Sequence, residues 1–508
     1  MRSRIASISL VTGLITVLVA GGSARAAAPK LGFHDPVKLP GSDDGSEPSL
    51  AISVGAVRYP SWQAPGEFAS SPDGVNFTNL GSPDENAIGD VTNAVDAAGA
   101  LYNGQICGDP QNILHTCIYR SLDGGVTWPQ RTDLADNHPG ASDRPWIEVH
   151  PHRSDTPWNP DQTTVFLEYH TFSPEELAYV TMSVDGGKTF GPPQMITTDT
   201  NAIVGSGCNT IPGGVVVDEA TGTAFALWLS GNDVESNIQT GCNYSQIGPF
   251  NKAWVSTGVP SAIPGIYTWT SHLAWTGQID PLTKIGDNAD KIFATIAVDQ
   301  SAQVHVALPV RHHDDPLGFV LDCEINPECQ EDPQQTDLIM VTSPDLGAHW
   351  TLPVTVDGRV GSHFFPWAAA GSAGRVAVIE YSSSTLRPND PASIWFATFL
   401  SVDGAIAKVD RNGARYTKTP RVTRLLLDPD PAHVGGICSF GIFCSVVPNA
   451  DRSLADSIAV AIDPAGGANA VWTDNSSGTN EIDFACQDSG PSFYSGLPSL
   501  RGCYVARG

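Results

Sequence analysis

The chain is poor in charge, and the charge it has is mostly of one sign. Only 16% of its 508 residues are charged, 27 Lys and Arg against 54 Asp and Glu, for a formal net charge of −27. That balance argues against nucleic acid or an anionic membrane as the main partner. Long apolar runs are as scarce. Beyond residue 28 no segment is long and apolar enough to span a bilayer, so no membrane insertion is expected of the mature chain. No sustained 3.6-residue period marks a long helix. There is no Cys-x-x-Cys pair, no Cys/His group at zinc spacing, no EF-hand loop and no low-complexity linker, so neither a metal nor a cofactor is expected. What the chain has is Gly (50) and Pro (39). Together with strand-type alternation of apolar residues, this suits many short strands joined by turns.

Residues 1–28 read as a secretion signal. Arg2 and Arg4 precede an apolar run from Ile5 to Gly21, and Ala24-Arg25-Ala26 offers small residues for cleavage after Ala26 or Ala28. A retained anchor is the alternative reading. No cysteine follows the run, which disfavours a lipoprotein. The expectation is a secreted, extracellular, monomeric protein. Ten cysteines agree with an oxidising compartment. They fall into near neighbours, Cys107/Cys117, Cys208/Cys242, Cys323/Cys329, Cys438/Cys444 and Cys486/Cys503, which favours five local disulfides.

One phrase recurs, Ser-x-Asp-x-Gly-x-x-aromatic. It appears as Ser121-Leu122-Asp123-Gly124-Gly125-Val126-Thr127-Trp128 and as Ser183-Val184-Asp185-Gly186-Gly187-Lys188-Thr189-Phe190. A looser copy runs from Ser343 through Asp345 and Gly347 to Trp350. A copy one residue shorter runs from Ser71 through Asp73 and Gly74 to Phe77, and Ser401-Val402-Asp403-Gly404 lacks the aromatic. Recurrence at tens of residues signals a repeat architecture. Ser and Asp side chains can tie nearby amides into a turn, Gly supplies positive φ, and the aromatic packs the hairpin down. The phrase resembles the Asp-box of BNR-repeat, sialidase-like β-propellers. The resemblance implies that these Asp residues are structural and lie on the face away from the active site.

The expected fold is all-β, a single β-propeller over residues 29–508 with the repeated turn between the third and fourth strands of each blade. Inner-strand signals begin near Pro48, Asp90, Arg144, Gly213, Asp290, Phe365 and Asp456. They give seven four-stranded blades, with six, the count of the family's sialidases, as the alternative. The stretch Gly32–Leu39 reads as an outer strand that completes the last blade and closes the ring.

Up-and-down strands put the entries to the inner strands and the exits of the second strands on the face opposite the repeated turns. Those positions hold Glu47, Asp90, Asp143, Arg144, Asp287, Asp290, His363 and Asp456, and Arg58, Tyr59, Gln105, Tyr169, His170, Asn232, Asp233, Arg311, His312, His313, Tyr381, Trp472 and Asp474. The sialidase resemblance implies three arginines gripping a sugar carboxylate, for which Arg58, Arg144 and Arg311 are the candidates. It also implies an aspartic acid/base, Asp90 or Asp143, and a tyrosine nucleophile, Tyr169 or Tyr381. The family's Arg-Ile-Pro phrase is missing, since Ser46-Glu47-Pro48-Ser49 stands at the first inner strand. The functional expectation is a sialidase-like glycoside hydrolase acting on acidic sugars. Two alternatives stay open, a non-catalytic glycan- or protein-binding propeller and a propeller-type polysaccharide lyase.

Overall fold

The computed structural model describes residues 29–505, except 64–65, 85–87, 109–113, 135–141, 153–158, 172–176, 199–209, 232–249, 279–285, 290–292, 315–334, 410–414, 418, 439–443, 445–449 and 455. Seven antiparallel blade sheets follow one another along the chain, with a separate two-stranded ribbon of Ala407–Val409 and Arg415–Thr417. Blade I is Ser46–Ile52, Arg58–Gln63, Glu67–Ser70 and Thr78–Gly81; blade II is Gly89–Val95, Leu101–Gly108, Leu114–Ser121 and Gln130–Asp133. Blade III runs from Ser142–His150 to Gln194–Met195, and blade IV from Thr210–Val217 to Tyr267–Thr276. The inner strand of blade V comes in two pieces, Gly286–Asn288 and Thr295–Val298; blade VI starts with Ser362–Ala370 and blade VII with Ala459–Ile462. The count is therefore seven, and the six-bladed alternative is excluded.

The ring closes as the N-terminal pattern suggests. Gly32–Phe33 and Val37–Lys38 pair with Glu481–Gly490, the third strand of blade VII. A side-chain clasp reinforces the closure. Arg58 of blade I is fully buried, and its guanidinium donates to Asn469 Oδ1 at 3.0 Å and to Asp463 Oδ2 at 3.4 Å in blade VII.

The repeated turns are built alike. In blade II, Ser121 Oγ donates to Asp123 Oδ1 (2.7 Å) and accepts from Gly125 N (2.8 Å), while Asp123 Oδ1 accepts from Thr127 N (2.9 Å). Blade III repeats these three distances at Ser183, Asp185, Gly187 and Thr189. Asp73 and Asp345 make the corresponding bonds to Asn76 N and His349 N. The glycines at these turns, Gly125 and Gly187, have φ of 90° and 77°, where a Cβ is strained. The aromatic reaches back to the preceding blade: Trp128 packs on Phe68 with centroids 4.9 Å apart, and Phe77 on Phe484 at 4.9 Å. All four Asp residues occupy the same turn at the same end of their blades, as the repeat requires.

Aliphatic and aromatic residues between blades form the core, the largest cluster running through blades IV to VII. Three of the five expected disulfides are present, Cys107–Cys117, Cys438–Cys444 and Cys486–Cys503. Cys208, Cys242, Cys323 and Cys329 lie outside the described residues. No helix of the described residues is long and apolar enough to cross a membrane.

Candidate functional site

The inner strands share a distortion at the end opposite the repeated turns. In blades I, II, III and VI the strand ladder shifts register there. The residue in the shift is left-handed in each case: Glu47 (φ 50°), Asp90 (48°), Arg144 (55°) and Phe365 (50°). Non-glycine residues held at such φ cost free energy and collect where a side chain must be aimed against its strand's default direction. Three are followed by proline, Pro48, Pro145 and Pro366.

These bulges turn Glu47, Asp90 and Arg144 onto the channel mouth. The Arg144 guanidinium lies 3.6 Å from Glu47 Oε2 and 3.5 Å from Asp90 Oδ1, and it donates to Asp456 of blade VII. Its Cζ stands 4.5 Å from the centre of the Phe293 ring. Burial opposes the guanidinium charge, but four carboxylates, Asp90, Asp456, Glu47 and Asp143, raise its pKa well above the ordinary arginine value. Arg452 also binds Asp456 and comes within 3.9 Å of Glu47 Oε1.

The carboxyls around Arg144 differ from one another. Desolvation raises the pKa of Asp90 well above the usual carboxylate range, and Asp143 and Glu47 add to this against Arg144. Asp143 is buried as well, but His170, Arg144 and a hydrogen bond with Asp90 outweigh the desolvation and hold its carboxyl below that range. His170 Nε2 is 3.8 Å from Asp143 Oδ2. The surroundings thus favour the protonated form of Asp90 and the ionised form of Asp143. Glu47 is raised by its own desolvation and by Asp456.

Other expected site residues are placed elsewhere. Arg58 starts the second strand of blade I, and its backbone pairs with Ser71 beside the repeated turn. It lies at the far end from Arg144, so the three arginines cannot grip one carboxylate. Its position at the start rather than the exit of that strand is the cause, because Ile52 and Arg58 flank the hairpin. Arg311 is at the exit of its strand, opposite Asn288 and Thr336, and buried. Tyr169 is buried and stacked on Tyr179 with centroids 5.8 Å apart. Tyr381 is fully buried and locks blade VI to blade VII, its hydroxyl donating to Thr473 O (3.0 Å) and accepting from Thr473 N (2.8 Å). Burial pushes both phenols far above their ordinary pKa. Asn232, Asp233 and Asp290 lie outside the described residues, as do the side chains of His312 and His313. Arg452 and Phe293 were not among the expected residues; neither belongs to a recurring phrase.

A second charged cluster joins blades V and VI. His363 Nδ1 is 3.1 Å from Glu380 Oε1 and 3.9 Å from Asp357 Oδ2, and Arg359 Nε donates to Asp357 Oδ1 at 2.9 Å. Arg424 Nε stands 3.6 Å from Asp357 Oδ2. His363, Asp357 and Glu380 could converge on one ion, but two guanidiniums already neutralise Asp357. The cluster reads as a blade-to-blade tie.

An aromatic plug divides the channel. Trp146 packs on Trp367 (4.9 Å) and on Phe293 (6.1 Å). Arg144 caps the plug at the mouth. At the other end, toward the repeated turns, the inner strands enclose a cavity of roughly 360 Å³ floored by Trp146 and Trp367.

No family model matches the chain, and no curated protein sequence matches it significantly. Among solved structures it is similar to a polysaccharide lyase of family PL25, an ulvan lyase, with 12% identity, 93% of this chain and 98% of that chain covered, and a TM-score of 0.45. It is similar to a protein of unknown function from Dyadobacter fermentans (13% identity, 90% and 98% covered, TM-score 0.44). It is also similar to the Hadza microbial sialidase Hz136 (11%, 86% and 74%, TM-score 0.41). What the mouth can do rests on its own residues.

Proposed function

We propose that this protein is an exported carbohydrate-active enzyme that cleaves glycosidic bonds at the channel mouth, with Asp90 as proton donor and Asp143 as its carboxylate partner. The observation that carries the reading is the placing of Asp90, by its left-handed bulge, beside Asp143 and its partner His170 at the mouth, where the surroundings favour a protonated Asp90 and an ionised Asp143. Such pairs supply an acid and a base from one residue type at one pH. Asp90 gives its proton to the leaving glycosidic oxygen, and Asp143 takes one from the attacking water. His170 and Arg144 keep Asp143 ionised. A base that activates water stands roughly 6.5–9.5 Å from the acid, so the hydrogen bond between the carboxyls has to open to about that separation to admit sugar and water. Arg144 is enclosed by Glu47, Asp90 and Asp456, so it stabilises the protein's own carboxylates. Arg452, with 32% of its side chain exposed, is a cation at this end that the carboxylate of an acidic sugar can reach. The signal sequence and the disulfides support export.

The enclosed Arg144 also favours a second reading, a propeller that binds glycan without cleaving it. Fluorogenic glycosides, neutral, sialic and uronic, separate the readings, together with the appearance of an unsaturated uronide as the lyase product. The enzyme reading expects turnover that falls at least 100-fold in Asp90→Asn and in Asp143→Asn, with unfolding curves that keep their cooperativity. Turnover untouched by either change overturns the assignment of the site. Glycan binding without turnover overturns the enzyme in favour of the binding propeller.

A further inference from the structure

Asp90 is aimed by a neutral residue that no recurring phrase marks. Its strand, Gly89–Val95, pairs Gly89 with Ile106 and Thr92 with Gly104, so the ladder sets Asp90 and Val91 against the single residue Gln105. A residue in such a bulge is left off the ladder, and its amide needs another acceptor. Asp90 N donates to Gln63 Oε1 at 3.0 Å. Gln63 is the last residue of the second strand of blade I, where it pairs with Ser46, the neighbour of the left-handed Glu47. One residue thus joins two bulges, that of blade I through its main chain and that of blade II through its side chain. Gly89 makes room for this bond. A Cβ at position 89 would stand 2.9 Å from Gln63 Oε1, 3.0 Å from Cδ and 3.1 Å from Nε2.

We infer that Gln63 is a positioning residue, which holds the Asp90 carboxyl toward Asp143 and Arg144, and that Gly89 clears the space its amide occupies. The consequence for turnover rests on the assignment of Asp90 as proton donor, whereas the placing itself rests on the hydrogen bond. An aspartate at φ 48° is disfavoured and persists only where its surroundings hold it. Arg144 brings its guanidinium to 3.5 Å from Asp90 Oδ1, but a charge contact does not fix the direction of the amide. The bond to Gln63 fixes it, and with it the direction in which the backbone presents the side chain. Without that bond the strand is free to return to an extended φ, and the carboxyl leaves the position from which it delivers a proton. Displacements of that size cost much of a rate. The charged groups around Asp90 are Glu47 from blade I and Asp143 and Arg144 from blade III, with His170, Arg452 and Asp456 behind them. Desolvation raises the Asp90 pKa most, so a carboxyl released toward water titrates lower.

Carbon NMR of the full chain, labelled at the aspartate carboxyls, reads the Asp90 titration without a substrate, its signal being the one lost in Asp90→Asn. Gln63→Met keeps the length of the side chain and removes the acceptor. Gly89→Ala keeps Gln63 but pushes its amide aside, at a backbone position outside the left-handed region. Each is expected to lower the Asp90 midpoint by about one pH unit or more. With a cleaved glycoside, each should also lower turnover roughly ten-fold or more and bring the alkaline limb of the pH profile down with the midpoint. Gln63→Glu keeps an oxygen that accepts from Asp90 N, so its turnover should stay within about three-fold of wild type, and its added carboxylate should raise the midpoint instead. An unchanged midpoint in either folded variant, Gln63→Met or Gly89→Ala, overturns the inference, and the glycine variant decides it where the methionine variant does not fold. A lowered midpoint in both, in a protein whose wild type cleaves no glycoside, upholds the placing and overturns the enzyme reading alone.

Discussion

The guanidinium of Arg144 in blade III meets the carboxylate of Asp456 at the entry to blade VII, 312 residues further along the chain. The contact spans the channel mouth and brings Glu47 and Asp90, from the blades between, onto the same cation. One buried arginine therefore organises four blades, and its loss affects stability before chemistry.

Arg144→Gln should destabilise the protein by about 3–5 kcal/mol, because it leaves buried carboxylates without their counter-charge. The loss should shrink as the pH falls. Without the arginine, Glu47 takes up a proton more readily, and protonation relieves the repulsion among the carboxylates. Urea unfolding of both proteins at pH 8 and pH 5 checks this, and an equal loss at the two pH values would falsify the cluster as drawn.

Arg58→Ala should cost a similar amount, about 3–5 kcal/mol, by opening the clasp to Asp463 and Asn469. It sits at the far end from Asp90, so any glycosidase turnover in the folded fraction should match the wild type. A selective loss of turnover at unchanged stability would place Arg58 in a site after all.

Trp128→Ala removes the ring that seats the blade II turn on Phe68 of blade I. The side chain is half-buried, so a loss of about 2–3 kcal/mol is expected, below the range for a fully buried tryptophan. A change under about 0.5 kcal/mol, the usual size for surface substitutions, would mean that the aromatic contributes no packing.

His363 gives a pH dependence. Burial lowers its pKa, but Glu380 and Asp357 overcome this and raise it to about 9 from the ordinary histidine value of 6.5. A raised pKa means that the folded state holds the proton more tightly. The contribution to stability is therefore complete below pH 6.5 and lost as the pH rises through about 9. Denaturation of wild type and His363→Gln from pH 6 to pH 10 should show a fall confined to the wild type, after subtraction of the slope the two share. Parallel curves would show that the imidazole is neutral in the fold.

The disulfides rank by loop size. Cys486–Cys503 closes 17 residues and Cys438–Cys444 closes 6. Replacing both cysteines of the longer loop with serine should cost about 1 kcal/mol more than the same change in the shorter one. Thiol titration of the unreduced, denatured protein should find no free thiol among these six cysteines.

Much of the architecture is written in local sequence. Ser-x-Asp-x-Gly phrases such as Ser121–Gly125 fold through bonds within four residues, so spacing alone places the turn, the hairpin and the blade. The outer strand at Gly32–Leu39 is legible for a similar reason, since a ring of hairpins leaves one strand unpaired and only one stretch is left to fill it. Asp90, Asp143 and Arg144 are legible as rim residues because they stand at the entry to a strand. What they do there is decided by the tertiary structure. Whether Arg144 is a ligand for substrate or a partner for Asp456 depends on a blade 312 residues away, and no local pattern carries that distance. Arg58 shows the same limit from the other side. Its neighbours in sequence do not reveal which end of the strand it occupies, and its partners Asp463 and Asn469 come from the opposite terminus. Charge type is a property of the residue, but pKa and pairing are properties of the enclosure, which exists only once seven blades have closed on one another.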